Sequence, residues 1–402
     1  MQGEPGASRL KIEIAVILAG RLDRLDRHVI EESVNELSSC WQRWMEDFDW
    51  QLRVVVRDEW PIGHRVEPME LLSQARQERD ESGWDFVIVI TAADLISHYK
   101  PSAIAVISSS LDIAVVSTAR IDPRATSPHS ADSERMRLMK LRATRLMLYA
   151  MGHWLGVEHD DESATVMDRL LSLDPDDASM HFSDEQLADM KHALHAIADQ
   201  RLEEREEFRR TADWRFYVLA MWQNRQEIIG AVGQARPWEF PVRLSRFATA
   251  ALSATMVFLM TAEAWDFSMK QPPRTVVIFF VLSLVATTFY VTIRQNLLVR
   301  RIGRRLSEQI VATNVSALMI IALGMLTMFA MLVMLSLTAA FTLFPKEVVQ
   351  GWAASVQEPL VWSHYLLLAG MVGTLGILIG ALGATFEEAH HFQHVVFVDE
   401  EI

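Results

Sequence analysis

The feature that most restricts how this chain can fold is a series of long apolar runs in its second half. Four runs approach or exceed the roughly 20 residues that a helix needs to cross a bilayer, at 247–265, 275–293, 315–344 and 363–386. The third run has 30 residues, so we expect it to tilt, to extend beyond the bilayer, or to break near Gly324. The pattern predicts four transmembrane helices.

The net charge divides the chain at nearly the same place. Residues 1–235 carry 27 Lys and Arg against 41 Asp and Glu, a net charge of −14, whereas residues 236–402 carry 11 of each sign. This distribution excludes a fully soluble enzyme, a disordered protein, and a protein that binds nucleic acid through net positive charge. The single cysteine, Cys40, excludes a disulfide framework and a four-cysteine zinc module.

The basic residues that flank the apolar runs predict how the chain is oriented. Eight lie before the first run or between the second and third, and three lie in the loops of the opposite side. Because the side richer in Lys and Arg is normally the cytoplasm, we expect both termini to be cytoplasmic, in the plasma membrane of a bacterium. Residues 387–402 then form an acidic tail, whose His390, His391 and His394 could chelate a metal and whose residues 395–398 could join a sheet edge.

Four glycines share one face of the fourth apolar run. Gly373, Gly376, Gly380 and Gly383 are spaced i, i+3, i+7 and i+10, which places them on the same side of a helix. A helix face without side chains lets a neighbouring backbone approach closely. We therefore expect this face to pack against another helix, within the chain or across a homo-oligomer.

The N-terminal half has the pattern of an α/β domain, which we place at residues 1–182. Short apolar runs alternate with amphipathic stretches. The expected strands are 10–18, 51–56, 85–90, 103–108 and 113–117, and the expected helices are 26–50, 68–81 and 134–155. A highly charged segment at 183–235 predicts a long helical stalk. It leads into the transmembrane domain, which we place at 236–386.

One segment carries chemical information. Residues 149–160 read YAMGHWLGVEHD and are followed by Met167. This pattern resembles the zinc signature of the metzincin metallopeptidases, H-E-x-x-H-x-x-G-x-x-H with a later methionine turn, and among them the archaemetzincins. The resemblance covers roughly residues 10–200 and implies an α/β peptidase fold with a zinc site. The positions that match the signature are His153, Gly156, His159 and Met167.

Two positions depart from that signature. Tyr149 occupies the place of the first zinc histidine, and Ala150 occupies the place of the general-base glutamate. A phenol with a pKa near ~10 is a poor substitute for imidazole, and alanine cannot transfer the protons whose transfer is typically worth about 10²–10⁴ in rate. Two histidines are fewer than the three protein ligands of catalytic zinc, although Asp160 or Asp161 could supply the third. We therefore assign no catalytic residue and expect no cofactor beyond a weakly bound zinc ion.

Three hypotheses for function follow. The leading one is a membrane-anchored pseudo-metallopeptidase that acts as a sensor, scaffold or regulatory subunit, binding a peptide or protein partner through its cytoplasmic domain. In that case the retained motif residues are structural remnants. The second hypothesis is a membrane-tethered zinc metallopeptidase with a non-standard ligand set, and metal analysis distinguishes it from the first. The third is a channel or transporter with a cytoplasmic regulatory domain, which polar residues lining a pore would favour.

Overall fold

The computed structural model describes ten segments of the chain that fall into two compact units. The first unit comprises the described parts of 1–223 and 301–311 together with Phe397–Ile402, and the second comprises the described parts of 224–300 and 312–396. The last residues of the sequence therefore belong to the N-terminal unit. The described segments are 10–60, 63–98, 100–125, 131–159, 165–168, 180–197, 214–298, 308–356, 359–387 and 389–402.

The N-terminal unit is built on a mixed six-stranded sheet, beside which lies a two-stranded sheet. The strands are β1 (Leu10–Ala19), β2 (Phe48–Arg57), β3 (Arg65–Val66), β4 (Phe86–Thr91), β5 (Asp94–Leu95), β6 (Ala105–Ser108), β7 (Ile113–Ser117) and β8 (Glu400–Glu401). The larger sheet has the order β2-β1-β4-β7-β6-β8. Its first four strands are parallel, whereas β6 runs antiparallel to β7, and β8 runs antiparallel to β6.

The described part of this unit also contains helices, several of which pack against the sheet. They are α1 (Arg24–Trp44), α2 (Pro68–Ser82), α3 (Thr118–Ile121), α4 (Asp132–Trp154), α5 (Asp184–Ile197) and α6 (Trp214–Gln223). Every second residue of β1, among them Ile12, Ile14 and Val16, packs into one apolar core with residues of α1 and α4. Because alternate side chains of a strand point to opposite faces, the equally buried Val87 and Val89 of β4 face the other way. Helix α2 packs against β4 and β7.

Two predicted helices have different bounds in the structure. The helix expected at 26–50 ends at Trp44, and Phe48–Arg57 forms β2. The reason is the alternation of buried Phe48 and Trp50 with exposed Asp49, which suits a strand paired with β1. The predicted stalk at 183–235 is interrupted at Asn224, between α6 and a further helix at Arg225–Gln234, while residues 198–213 lie outside the described residues.

The second unit is helical. Three of its helices are long and apolar enough to cross a membrane, namely Pro273–Arg294, Ile310–Thr342 and Trp362–Phe386. A bent pair, Ile228–Arg243 with Ser245–Leu259 at 54°, makes four if it counts as one span. The helices are α7 (Arg225–Gln234), α8 (Phe240–Arg243), α9 (Ser245–Leu259), α10 (Ala262–Met269), α11 (Pro273–Arg294), α12 (Glu308–Thr342), α13 (Lys346–Trp352), α14 (Trp362–Gly383) and α15 (Ala389–Phe397).

The first apolar run is not the single helix that its composition predicts. The helix that contains Phe247 ends at Leu259, and α10 begins at Ala262. The buried Trp265 indole donates a hydrogen bond to the Leu259 carbonyl at 2.8 Å, which satisfies a carbonyl that is left free at the helix end. The third run, by contrast, is continuous through Gly324, where an added Cβ would lie 2.1 Å from the Phe240 ring.

The four glycines of α14 that are predicted to share a face lie against neighbouring helices. A Cβ built at Gly376 would come within 2.7 Å of the Thr255 hydroxyl on α9, closer than real Cβ atoms approach other atoms. Glycine at these positions therefore lets α14 and its neighbours pack at short range. The other close approaches would be Gly380 to Ala251 at 3.0 Å, Gly383 to Ala250 at 2.5 Å and Gly373 to Val333 of α12 at 3.1 Å.

Candidate functional site

The C-terminal end of α4 places Tyr149 and His153 side by side. The two residues are four positions apart and therefore share one helix face. Their rings are nearly parallel, with centroids 6.4 Å apart, and both side chains are buried. The helix ends after Trp154, and Gly156 adopts a left-handed backbone with φ of +75°, which glycine accepts without steric cost. The chain can thus reverse direction directly beyond the two rings.

The reversed chain brings His159 back to the same place. The centroid of its ring lies 6.0 Å from that of His153 and 5.8 Å from that of Tyr149. His159 Nδ1 is 3.3 Å from the carbonyl oxygen of Met167. When Nδ1 carries the proton and donates it to that carbonyl, the lone pair of Nε2 is left facing the other residues of the site. The side chain of Met167 is buried and occupies the space that a Cβ at Gly152 would need, since the two would be 2.5 Å apart.

The fourth polar residue of the site, Glu400, comes from β8 and is not predicted from the sequence. Glu400 Oε2 lies 3.6 Å from His153 Nδ1 and 3.7 Å from His159 Nε2. It also accepts a hydrogen bond from the Tyr149 hydroxyl at 2.7 Å, across 251 positions of sequence. No motif or spacing marks this glutamate, because its position depends on which strand β8 pairs with.

Strand β8 is held along β6 by main-chain hydrogen bonds. The Asp399 N–H donates to the Ile107 carbonyl at 3.0 Å, and the Ile402 N–H donates to the Ala105 carbonyl at 2.9 Å. The carboxylate of Glu401 accepts hydrogen bonds from the Ser97 hydroxyl and, at 3.1 Å, from the His98 N–H. Glu400 therefore projects toward the histidines from a strand that is fixed at both ends.

The site favours neutral imidazole. Burial lowers the pKa of His153 to about 4; the charge of Glu400 opposes this shift and His159 adds to it. His153 is therefore uncharged at neutral pH, the form in which histidine binds metals. Directly before β8, burial raises the pKa of Asp399 to about 7, and its carboxylate accepts a hydrogen bond from the Ser109 N–H.

The residues present fit a metal ion. His153, His159 and Glu400 offer ligand atoms that all lie within 4.8 Å of one another. Two imidazoles and one carboxylate are a donor set of catalytic zinc sites. His153 Nδ1 and His159 Nε2 are the ring nitrogens that lie nearest the Glu400 carboxylate. Within those residues, no other group of three or more His, Cys, Asp and Glu side chains is arranged in this way.

Other residues considered as ligands or catalysts lie elsewhere. Ala150 is buried within the apolar core, so the general-base position holds no polar group. Asp160 and Asp161, considered as third ligands, lie outside the described residues. In the tail, His391 Nε2 lies 3.2 Å from the Arg243 carbonyl, and residues 395–397 continue α15 where a strand had been considered.

Comparison with known proteins finds similar solved structures but no matching family model. No protein-family model matches the chain, and no curated protein matches it in sequence. Solved structures do match. The N-terminal part is similar to archaemetzincins. The archaemetzincin of Methanopyrus kandleri is 17% identical, with a TM-score of 0.37, over 48% of this chain and 99% of that one.

Two further solved structures are similar to this chain at a comparable level. A zinc-dependent peptidase from Methanocorpusculum labreanum is 17% identical with a TM-score of 0.33, over 44% of this chain and 99% of that one. An archaemetzincin from Archaeoglobus fulgidus is 14% identical with a TM-score of 0.32, over 44% and 99%. At these identities and TM-scores the likeness assigns no chemistry to this chain, and the conclusions on the site rest on its own side chains.

Proposed function

We propose that this protein is a membrane-anchored pseudo-metallopeptidase that holds an extended peptide at the edge of its sheet without cleaving it. In this role it acts as a sensor, scaffold or regulatory subunit. The observation that supports the proposal is that β8, from the end of the sequence, lies along β6 and places Glu400 beside His153 and His159. A peptide segment is therefore already seated where a peptidase would hold its substrate.

The chemistry of the site favours binding over hydrolysis. Peptide hydrolysis at zinc needs a carboxylate that takes a proton from the attacking water and passes it to the leaving amine. Ala150 cannot do this. Glu400 is the carboxylate that faces both histidines within the described residues, and it is already bound by the Tyr149 hydroxyl.

The mode of binding is strand addition. An extended segment that joins a sheet edge gains affinity from main-chain hydrogen bonds and specificity from alternate side chains. In this chain the Glu400 side chain lies at the histidines, and the next residue, Glu401, lies at Ser97 and His98. An acidic partner segment could use the same contacts. We place this domain in the cytoplasm, on the basis of the eight basic residues against three.

The second candidate function is a membrane-tethered zinc peptidase with an unusual ligand set. The observation that favours it is the convergence of His153, His159 and Glu400, which supplies the three protein ligands that His153 and His159 alone do not. In such an enzyme Tyr149 would be the remaining polar group able to assist proton transfer.

Peptide binding by a shortened chain tests the proposal. A variant that ends at Val398 removes β8, and a fluorescent peptide with the sequence of residues 398–402 can then be offered to it in detergent micelles. We expect the shortened chain to bind this peptide at least about tenfold more tightly than the full chain, in which β8 competes for the edge. A matched peptide in which lysines replace both glutamates should bind weakly.

The same samples distinguish the two candidate functions. We expect the peptide to remain intact after prolonged incubation with zinc. Cleavage that a chelator abolishes would favour the tethered peptidase. Failure of the shortened chain to bind the peptide would overturn the proposal that the sheet edge is a binding surface.

A further inference from the structure

We propose that His153, His159 and Glu400 together bind a zinc ion, with the C-terminal strand supplying the third ligand. This site goes beyond the proposed function, because a sheet edge can hold a peptide without a metal. It also differs from the three-histidine signature that the motif resembles. The first histidine of that signature is replaced by Tyr149, and a carboxylate from a distant segment fills the vacated position in the ligand set.

The spacing of the ligand atoms suits tetrahedral coordination. Zinc at about 2.0–2.2 Å from nitrogen and oxygen ligands holds two neighbouring ligand atoms about 3.4 Å apart. Glu400 Oε2 is 3.6 Å from His153 Nδ1 and 3.7 Å from His159 Nε2. Both separations exceed the expected value by only a few tenths of an ångström. All three ligand atoms lie within 4.8 Å of one another, so small side-chain rotations bring the two imidazoles into range.

The surrounding groups orient the ligands. Metal-binding histidines commonly donate their other ring N–H to a carbonyl or carboxylate, and ligating carboxylates are themselves hydrogen-bonded. The Met167 carbonyl is placed to accept from His159 Nδ1 at 3.3 Å, which leaves Nε2 for the metal. The Tyr149 hydroxyl donates to Glu400 at 2.7 Å. Tyr149 is thus a positioning residue for the carboxylate.

His153 offers Nδ1 to the metal. This nitrogen faces Glu400 Oε2 at 3.6 Å, and the ring that carries it is buried. The zinc ion would also link β8 to the end of α4, so its binding should hold the last residues of the sequence in place.

Zinc binding by the full chain tests this site. Protein in lipid nanodiscs is treated with a chelator, dialysed and titrated with zinc sulfate by calorimetry, and bound metal is counted by mass spectrometry. We expect about one zinc per chain. Glu400→Gln should weaken binding by more than the 10–100-fold typical of losing an outer partner, and Tyr149→Phe should weaken it within that range.

Two variants serve as controls. Glu401→Gln alters the neighbouring carboxylate of the same strand, which contacts Ser97 and His98, and it should bind zinc as the wild type does. His159→Gln removes a ligand and leaves every residue of β8 and its main-chain hydrogen bonds to β6 in place, so its loss of zinc binding tests the ligand and not the strand. Equal zinc affinity in the wild type and in Glu400→Gln would overturn the proposal. So would a wild type that binds zinc no more tightly than His159→Gln does.

Hydrogen exchange provides a readout that is independent of affinity. The amides of Ile104, Asp399 and Ile402 donate the hydrogen bonds that join β8 to β6. Zinc should slow their exchange in the wild type and leave it unchanged in Glu400→Gln. The peptide-binding test uses a chain without Glu400, so absence of zinc binding leaves the proposed function intact. Absence of peptide binding, in turn, leaves the zinc site to be decided by calorimetry and hydrogen exchange.

Discussion

Removal of the Arg135 guanidinium should destabilise the helix that carries the candidate site. Arg135 lies on α4 and binds three carboxylates, those of Asp26 and Asp122 at 2.8 Å and that of Asp23 at 3.0 Å. Asp23 is also the N-cap of α1, where its carboxylate accepts the Asp26 N–H at 2.6 Å. These ion pairs therefore join the start of α1 to α4, the helix that also carries Tyr149.

The expected loss of stability follows from the burial of one carboxylate, that of Asp26. Asp26 is only 5% exposed, so an Arg135→Met substitution, which keeps the apolar length of the side chain, leaves a buried carboxylate without its cation. Removing one partner of a buried pair typically costs about 3–5 kcal/mol. An Arg137→Met substitution on the same helix is the matched control. Its pair with Glu134 is exposed to solvent, so its loss should change stability little.

The loss of stability caused by Arg135→Met should depend on pH. Burial, and secondarily the charge of Asp23, raises the pKa of Asp26 from 3.8 to about 6 although Arg135 opposes the shift. Asp26 therefore holds more of its proton in the folded state than in the unfolded state between about pH 4 and 6, and its own contribution to the free energy of unfolding falls as pH rises through that range, by about 3 kcal/mol. Without Arg135 the pKa of Asp26 rises further. The destabilisation should accordingly be smaller at pH 5 than at pH 7.5.

Hydrogen exchange of the full chain measures these effects locally. Peptides from α1 and α4 in Arg135→Met should exchange about 10²–10³ times faster than wild type at pH 7.5, after correction for intrinsic rates. At pH 5 the free-energy difference between Arg135→Met and the wild type should be less than half of its value at pH 7.5. Adding Asp26→Asn should restore most of the protection. If Arg135→Met behaves like Arg137→Met, or loses the same free energy at both pH values, the argument from a buried uncompensated carboxylate is wrong.

Three other substitutions or fusions have expected outcomes. Gly376→Leu should lower the stability of the helical unit by about 1–3 kcal/mol through overpacking. Gly351→Leu is the control, because a Cβ there meets nothing within 4 Å, and it should not lower stability. Equal melting temperatures of the two variants in detergent would show that the glycine face does not contribute to packing. Tyr149→His should bind zinc at least about tenfold more tightly than Tyr149→Phe, which loses the same hydroxyl but adds no imidazole; equal affinities by calorimetry would contradict the convergence of these positions. Reporters inserted at Pro272 and after Ile402 should lie in opposite compartments; the same compartment for both would exclude the predicted orientation.

Much of the local structure follows from patterns within short windows of sequence. The apolar run of β1 predicts a strand at 10–18, and the structure has Leu10–Ala19. The glycine at Gly83 and the proline at Pro68 bracket α2, which is predicted at 68–81 and observed at Pro68–Ser82. Residue spacing also places Tyr149 one turn before His153. These features depend on dihedral preferences and periodicity, which neighbouring residues determine by themselves.

The site itself was only half predictable. The spacing in residues 149–160 indicates that Tyr149, His153 and His159 converge, since a helix face and a glycine turn are local features. Glu400 reaches them only because β8 pairs with β6, and nothing in a two-residue strand predicts its partner. The sequence pattern at 395–398 instead favoured a strand where α15 continues.

Tertiary contacts also decided where the first apolar run breaks. Composition predicts a continuous helix at 247–265, because an apolar run carries no information on which carbonyl will find another donor. In the folded helical unit Trp265 packs against Phe344 and Trp352 with ring centroids 5.1 and 5.7 Å away, and its indole N–H reaches the carbonyl of Leu259. Hydropathy thus determined that this half is made of long apolar helices, whereas strand pairing and side-chain packing between distant segments decided where one helix stops and which carboxylate meets the two histidines. Such contacts are selected by the free energy of the whole fold, which no local window of residues contains.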